Sequence, residues 1–302
     1  MNSESSISVV IPSYNSKSTI SQCLSSVLNQ SYAGIIEVIV VDSSDDGTDD
    51  VIRHSFPQVN LIHIEKKTLP GAARNIGVRA ADSDYIAFTD ADCIPDYYWI
   101  ENMVCSLQND TYVLGGAVIN GTPNSLSGTL GYLNEFSFYL PGGKTGFVDG
   151  LATANVCYKK RVFDNHQFME AHFAGEDTIF HWSIMDTGKK LFFDPTVKVT
   201  HMNRTGFMNV LKHQRKMGVG AGLARIIMKR DLLLVNYPIF SLLVLPWIRI
   251  LRMYKRVLFC DKNIWKKVIL FSPISLIIAY GWSLGFYQSI IRYREKRGSF
   301  AP

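Results

Sequence analysis

The chain has 302 residues, 47 % of them apolar and 19 % charged, with a formal net charge of +5. That length and balance fit one large domain, or a domain with an appendage, and supply enough apolar residues for a sizeable core. The basic excess sits mainly in the last third beside apolar runs, which points to an anionic membrane surface; nucleic acid is excluded as a partner by the lack of an arginine-rich arm, zinc-finger spacing or RNA-binding aromatic signature.

The N-terminal MNSESSISVV lacks a basic start followed by an apolar run, so no signal peptide is expected and the catalytic part is placed in the cytoplasm. Ile7 to Ser13 reads as a buried strand. Ser18 to Asn29 places apolar residues at Ile20, Cys23, Leu24, Val27 and Leu28, which is helical spacing. Glu37 to Val41 is β-branched and ends in DSSDDGTDD, a turn leading to a helix that Thr48 would cap, with Asp49 and Asp50 at its positive end. Val59 to Ile64 is a third strand. Pro70 suits a first helical turn, and Ala72 to Ala81 continues it. Asp84 to Phe88 is a fourth strand running into TDAD. Strands alternating with helices imply a mostly parallel sheet that binds ligands at the strands' carboxyl ends.

Further along, Tyr112 to Ile119 reads as a strand, Gly128 to Leu140 as an aromatic-rich helix and Phe147 to Tyr158 as a strand, with a flexible loop at Gly142, Gly143 and Gly146. Glu176 to Met185 reads as a helix, and Lys190 to Thr200 as a strand pair interrupted by Asp194-Pro195. The five cysteines form no C-x-x-C pair and read as buried reduced thiols. Composition shifts near Asp231, which divides a catalytic domain (1–230) from an apolar and basic tail (231–302). Leu232 to Ile248 is apolar but broken by prolines. Val268 to Ile291 has no charged residue and is long enough to span a bilayer. Both neighbouring segments are basic, so the simplest topology lays the apolar runs in the cytoplasmic leaflet rather than across it, or folds the second into a hairpin at Gly281 or Gly285; a single crossing with the basic tail outside is less favoured.

Carboxylates cluster where strands end: Asp42 after IEVIVV, Asp90 and Asp92 after DYIAF, and Glu176 and Asp177 at a helix start. Such groups can bind a ribose or base, hold a metal on a diphosphate, or take a proton from a nucleophile. Two carboxylates around a small residue, as in Asp90-Ala91-Asp92, can hold one hard cation together with substrate phosphates.

IPSYNSKSTISQCLSSVLNQSY, VIVVDSSDDGTDD, GAARNIGVRAADSDYIAFTDAD and FAGEDTIFHWSI, in this order, resemble the family 2 glycosyltransferases of GT-A fold, over roughly residues 6 to 205. The resemblance implies an α/β, Rossmann-like sheet flanked by helices. It also implies a nucleotide-sugar donor, with a UDP-sugar favoured, and inversion at the anomeric carbon. Motif by motif, Pro12, Tyr14 and Asn15 match the loop against the nucleotide base, Asp42 the carboxylate that contacts the base, and Arg74 the arginine near the nucleotide. Asp90 matches the D-x-D residue that reaches the ribose and Asp92 the one that reaches the metal, Mn2+ or Mg2+. Asp177 matches the catalytic base, and His201 resembles a histidine that completes the metal site.

The turn VVDSSDDGT is shorter than the common form, which leaves Asp45 and Asp46 unaligned. The Q-x-x-R-W signature of processive synthases is replaced by HQRKMG, which argues for transfer of a single sugar. The acceptor class suggested for a membrane enzyme is a lipid-linked glycan or polysaccharide precursor. A nucleotidyltransferase would carry a glycine-rich basic loop after the first strand, which IPSYNSKST lacks; a non-catalytic scaffold would have shed Asp92 or Asp177. His54, His63, His166, His172, His181 and His213 read as packing or surface residues, and Asn155 is balanced between an acceptor contact and a turn or strand-end role.

Overall fold

The computed structural model describes residues 6–107, 111–171, 174–260 and 269–298. Through Thr89 strands and helices alternate: β1 (Ile7–Ser13), α1 (Ile20–Leu28), β2 (Ile36–Asp42), α2 (Thr48–Ser55), β3 (Asn60–His63), α3 (Pro70–Ala80) and β4 (Tyr85–Thr89). The physical reasons are local. In α1, Ile20, Cys23, Leu24 and Val27 all turn inward, as their spacing requires. Pro70 opens α3, where its missing N–H costs nothing. Helix α2 differs from expectation at its start. Thr48 is its first residue, and the capping oxygen comes from Asp46, whose carboxylate accepts from the Thr48 amide at 3.0 Å.

The remaining elements are β5 (Cys93–Pro95), α4 (Trp99–Ser106), β6 (Val113–Asn120), α5 (Leu126–Phe136), β7 (Gly146–Val148), β8 (Asn155–Lys159), α6 (Glu176–Met185), β9 (Leu191–His201), α7 (Phe207–Ile227), α8 (Leu232–Asn236), α9 (Pro238–Cys260) and α10 (Ser272–Gly298). The chain forms two compact units. The first contains Met1–Gly121, Lys144–Ala171 and Phe180–Met202; the second contains Thr122–Gly143, His172–Ile179 and Asn203–Pro302. His172 and Val268, the start of the long apolar run, lie outside the described residues, as does the last part of the basic segment before that run.

In the first unit, one sheet runs β3-β2-β1-β4-β8-β6-β9-β5 among the described residues, with β7 paired to β9. Strands β3, β2, β1 and β4 are parallel, and β8 enters antiparallel to β4. The stretch read as one strand from Phe147 to Tyr158 is two strands. β7 pairs with β9, whereas β8 lies between β4 and β6, so the chain must leave one position in the sheet and enter another. The stretch read as an interrupted pair is a single eleven-residue strand, β9. Its pairing with β6 jumps from Gly116–Asp194 to Ala117–Lys198, so Asp194-Pro195 sits in a bulge where a proline withholds no ladder hydrogen bond.

Asn155 closes this bulge. Its side-chain amide donates to the carbonyls of Ala117 (2.8 Å) and Val197 (3.0 Å) and accepts from the Trp99 indole (2.8 Å). It is fully buried, and its role is structural.

The second unit is helical. α7 and α10 meet backbone to backbone. A Cβ on Gly218 would lie 1.9 Å from the Trp282 carbonyl, and one on Gly285 would lie 2.0 Å from the Arg215 carbonyl. The contact continues in side chains, with Arg215 Nε donating to Gln288 Oε1 at 3.0 Å. On α9, the Arg249 guanidinium lies 4.1 Å from the centre of the Trp282 ring and donates to the Asn134 carbonyl at 2.8 Å.

Candidate active site

Parallel pairing puts Ser13, Asp42 and His63 at one level, at the carboxyl ends of β1, β2 and β3. Three loops leave from there and are stitched together by short polar contacts. Asn15 adopts a left-handed backbone (φ 52°), which an asparagine tolerates better than most residues. Its amide donates to Ser44 Oγ (2.7 Å), and its side-chain oxygen accepts from the Asp45 amide (3.1 Å). The Ser16 amide donates to Thr48 Oγ1, and the Lys17 amide to Asp46. Burial alone would raise the Asp46 carboxyl, but the hydrogen bonds from Thr48 and the Lys17 amide outweigh it and hold the group below its ordinary range. From the third loop, the Thr68 amide donates to Ser43 Oγ (3.0 Å), and Lys67 places its ammonium 3.9 Å from the centre of the Tyr14 ring.

Asp42 lies beneath this cradle. It is fully buried, and both its oxygens are engaged: one by Ser44 Oγ (2.5 Å), the other by the Ser44 amide (3.1 Å) and His63 Nδ1 (2.9 Å). A buried carboxylate is stable there because its acceptor capacity is filled. Pro12 is part of β1, while Tyr14, 40 % exposed, offers a ring face at the opening. The sequence gives His63 a packing or surface role and does not single out Lys67. The signal was available for His63, since β3 must end in register with β2 and thus beside Asp42.

Next to the cradle, β4 runs into Asp90-Ala91-Asp92. Arg74, on α3 and 3 % exposed, donates to Asp90 Oδ1 at 3.0 Å. Its neighbour Asn75 makes two hydrogen bonds with the backbone of Phe168, at 2.9 and 3.0 Å, which pins α3 to the segment after β8. Antiparallel pairing of β5 with β9 sets Cys93 opposite His201, and the Met202 amide donates to the Asp92 carbonyl at 2.9 Å. The register therefore delivers His201 Nε2 to within 3.5 Å of Asp92 Oδ1.

That pair fits a hard divalent cation. Adjacent ligands of an octahedral ion with bonds of about 2.1 Å lie about 3 Å apart, close to the observed separation. Cys93 is near both residues, but a thiol is a poor donor for such an ion. Burial first, and then the charges of Asp92 and Asp90, push that thiol well above its ordinary value.

Deeper in the same unit, Tyr158 Oη and His181 Nε2 are 2.6 Å apart. Burial, reinforced by Arg74, lowers His181 to about 3, so its ring is neutral.

Asp177 belongs to the second unit, at the head of α6. Its carboxylate accepts from the Thr178 amide at 2.6 Å and remains half-buried. Gly175, two residues earlier, has φ 86°, and a Cβ there would stand 2.5 Å from the Gly220 carbonyl of α7. Both backbone angle and space demand glycine at this position, and together they fix where α6 begins. Burial, and then the charge of Asp177, raises the Tyr139 phenol above its ordinary value.

A family model described as glycosyl transferase family 2 matches residues 8–166. The glycosyltransferase AglE of Haloferax volcanii is 28 % identical over 222 residues, which is 71 % of this chain and 72 % of that protein. A dolichyl N-acetyl-alpha-D-glucosaminyl phosphate 3-beta-D-2,3-diacetamido-2,3-dideoxy-beta-D-glucuronosyltransferase of Methanococcus voltae is 25 % identical, covering 72 % of this chain and 73 % of its own. Among solved structures, the mannosyltransferase PcManGT of Pyrobaculum calidifontis, in complex with GDP-Man and Mn2+, superposes with a TM-score of 0.61 at 17 % identity, covering 96 % of this chain and 86 % of that one. That likeness concerns the fold, a central mixed sheet flanked by helices of GT-A type.

Proposed function

Because the chain belongs to glycosyl transferase family 2 and transfers a sugar from a nucleotide-sugar donor, we propose that it does so with inversion, with a divalent metal, Mn2+ or Mg2+, and one sugar at a time. A UDP-sugar is the favoured donor. The acceptor is a hydroxyl of a lipid-linked glycan or polysaccharide precursor, the class to which the dolichyl phosphate substrate in the name of the Methanococcus voltae relative belongs. Residues 1–230 form the catalytic domain and 231–302 hold it on the cell membrane, with the active site facing the cytoplasm where nucleotide-sugars are made.

The observation that carries this reading is the approach of His201 to Asp92 at 3.5 Å at the end of β4, next to the strand-end cradle. The cradle takes the nucleoside. Tyr14 offers its ring to the base, and Pro12 and Asn15 shape the loop behind it. Asp42 acts by fixing Ser44 and His63 beneath the base, since its oxygens are already engaged. Asp90, steadied by Arg74, faces the ribose. Asp92 and His201 would hold the cation, which when bound offsets charge on the departing diphosphate as a Lewis acid. Asp177 accepts the proton of the acceptor hydroxyl as its oxygen bonds to the anomeric carbon. The bond from that carbon to the diphosphate oxygen breaks at the same time, and the electron pair leaves with the nucleoside diphosphate.

The test is diphosphate release from a panel of nucleotide-sugars with lipid extract as acceptor, before and after EDTA. Turnover is expected only with added cation. Asp177→Asn is expected to bind donor normally by calorimetry and to lose transfer. Full turnover after EDTA would remove the metal from the reading, and an active Asn variant would move the base elsewhere, with Glu176 first in line.

A further inference from the structure

We propose that the outward face of α8 and α9 docks in the plane of an anionic lipid leaflet, and that α10 does not cross the bilayer. The proposal rests on the membrane-bound reading above and specifies which surface makes the contact and which lipid charge it selects.

Helix α9 is apolar on both sides. Its inward row, including Ser241, Leu245, Ile250, Met253 and Val257, is 0 to 8 % exposed. The opposite side of a helix on a soluble protein would be polar. Here it exposes Ile239 (66 %), Leu243 (58 %), Trp247 (52 %) and Leu251 (65 %), an i, i+4 row that winds slowly round the helix, and Phe259 (79 %) near its end. Leu232 and Leu233 of α8 are also more than half exposed. A contiguous apolar surface of this kind marks an interaction site. With 23 residues at about 1.5 Å each, α9 is roughly 34 Å long, a ridge suited to lying flat at an interface.

Charge selects the partner. Between Asp231 and Asp261 the sequence has no acidic residue, while Arg252 and Lys255 stand exposed on α9 beside the apolar stripe. A second copy of the chain would bring these cations against their own kind, whereas an anionic leaflet attracts them, by about fivefold in affinity for each basic residue near the surface. Trp247 and Tyr237 are the amphipathic aromatics favoured at headgroup depth.

The same unit argues against a span by α10. Its candidate span, Ser272–Glu295, meets the length criterion, yet half of the most apolar stretch within it is buried in the protein. α7 covers it through the backbone contacts at Gly218 and Gly285, too close for lipid to intervene. α7 also carries exposed Lys212 and Lys216. A crossing α10 would either draw those charges into hydrocarbon or tear α7 away.

The experiment is vesicle flotation of the full chain, with pure phosphatidylcholine vesicles compared with vesicles containing about a third phosphatidylglycerol. Binding is expected to be at least tenfold tighter to the anionic vesicles. Leu243→Glu with Leu251→Glu should abolish it, and Arg252→Ala with Lys255→Ala should weaken it more than tenfold. Both variants should keep the wild-type circular dichroism and donor binding. Equal binding to both vesicle types, or undiminished binding by the Glu variant, would overturn the docking face. So would a dimer in light scattering that the Glu variant dissolves. A reporter fused after Pro302 should lie on the same side as one fused at the N-terminus; opposite sides would overturn the claim about α10. Vesicle binding without transfer to lipid extract would leave the docking face standing and remove the lipid-linked acceptor instead.

Discussion

Around Asp42 the chain is held by side chains, with hydrogen bonds from Ser44 and His63 to Asp42 and from the Asp45 amide to Asn15 tying the loops to the ends of parallel strands. Around Gly218 it is held by the absence of side chains, and two helices touch through their backbones because nothing projects between them. The first arrangement tolerates exchange of a partner at the cost of one or two hydrogen bonds. The second has no slack, because a close-packed contact has nowhere to place an added carbon. The strand ends thus gather polar side chains, whereas the contact of α7 with α10 leaves side chains out.

Substitutions on the two sides should separate activity from stability. Asp92→Ala should lower turnover on the order of 10³-fold, as loss of a strong transition-state electrostatic contact does, and leave the melting temperature near wild type. A large fall in melting temperature would mean that the strand ends are structural as well as chemical. Gly218→Leu should do the reverse, costing about 3 kcal/mol in urea unfolding through overpacking against the Trp282 carbonyl. Native stability in this variant would mean that α10 can slide on α7.

The pH dependence of unfolding reports on the interior of the first unit. His181 is lowered to about 3 by burial and by Arg74, so it is neutral when folded and takes up a proton near pH 6.5 when unfolded. Its contribution is therefore intact above pH 6.5 and is lost as the pH falls from there towards 3, by about 2 kcal/mol between pH 6.5 and pH 5. His181→Gln should start less stable and flatten this slope in denaturant titrations across that range. An unchanged slope would assign the acid sensitivity to other groups. The smallest effect is expected at Ser125, which caps α5 by accepting from the Gly128 amide at 3.1 Å. Ser125→Ala should cost about 1 kcal/mol, with donor binding unaffected.

The boundaries of legibility follow the range of the forces involved. From β1 to β4 the sequence was readable because each element is specified within its own dozen residues: a β-branched run makes a strand, inward spacing at Ile20, Cys23, Leu24 and Val27 makes a helix, and Pro70 starts another. The D-x-D and the carboxylate at Asp42 were legible for the same reason, since they stand where such strands stop. Short elements without a period of their own, β5 and α4, were not legible. Nor was the single strand β9, whose proline looks like a break until the facing strand shows the bulge that absorbs it.

What the sequence determined by itself is the family, the alternating sheet and the residue types gathered at its edge, because these depend on local patterns and on motifs of a few residues. Only the tertiary structure decided that His201 reaches Asp92, through the antiparallel register of β5 with β9. Only it decided that Asn155 closes a bulge and that α10, apolar enough for a bilayer, has half of its apolar window buried against its own chain. Each of these is a pairing between segments distant in sequence. A side chain carries its chemistry in its type, but its partner is set by register and packing, which no single segment encodes.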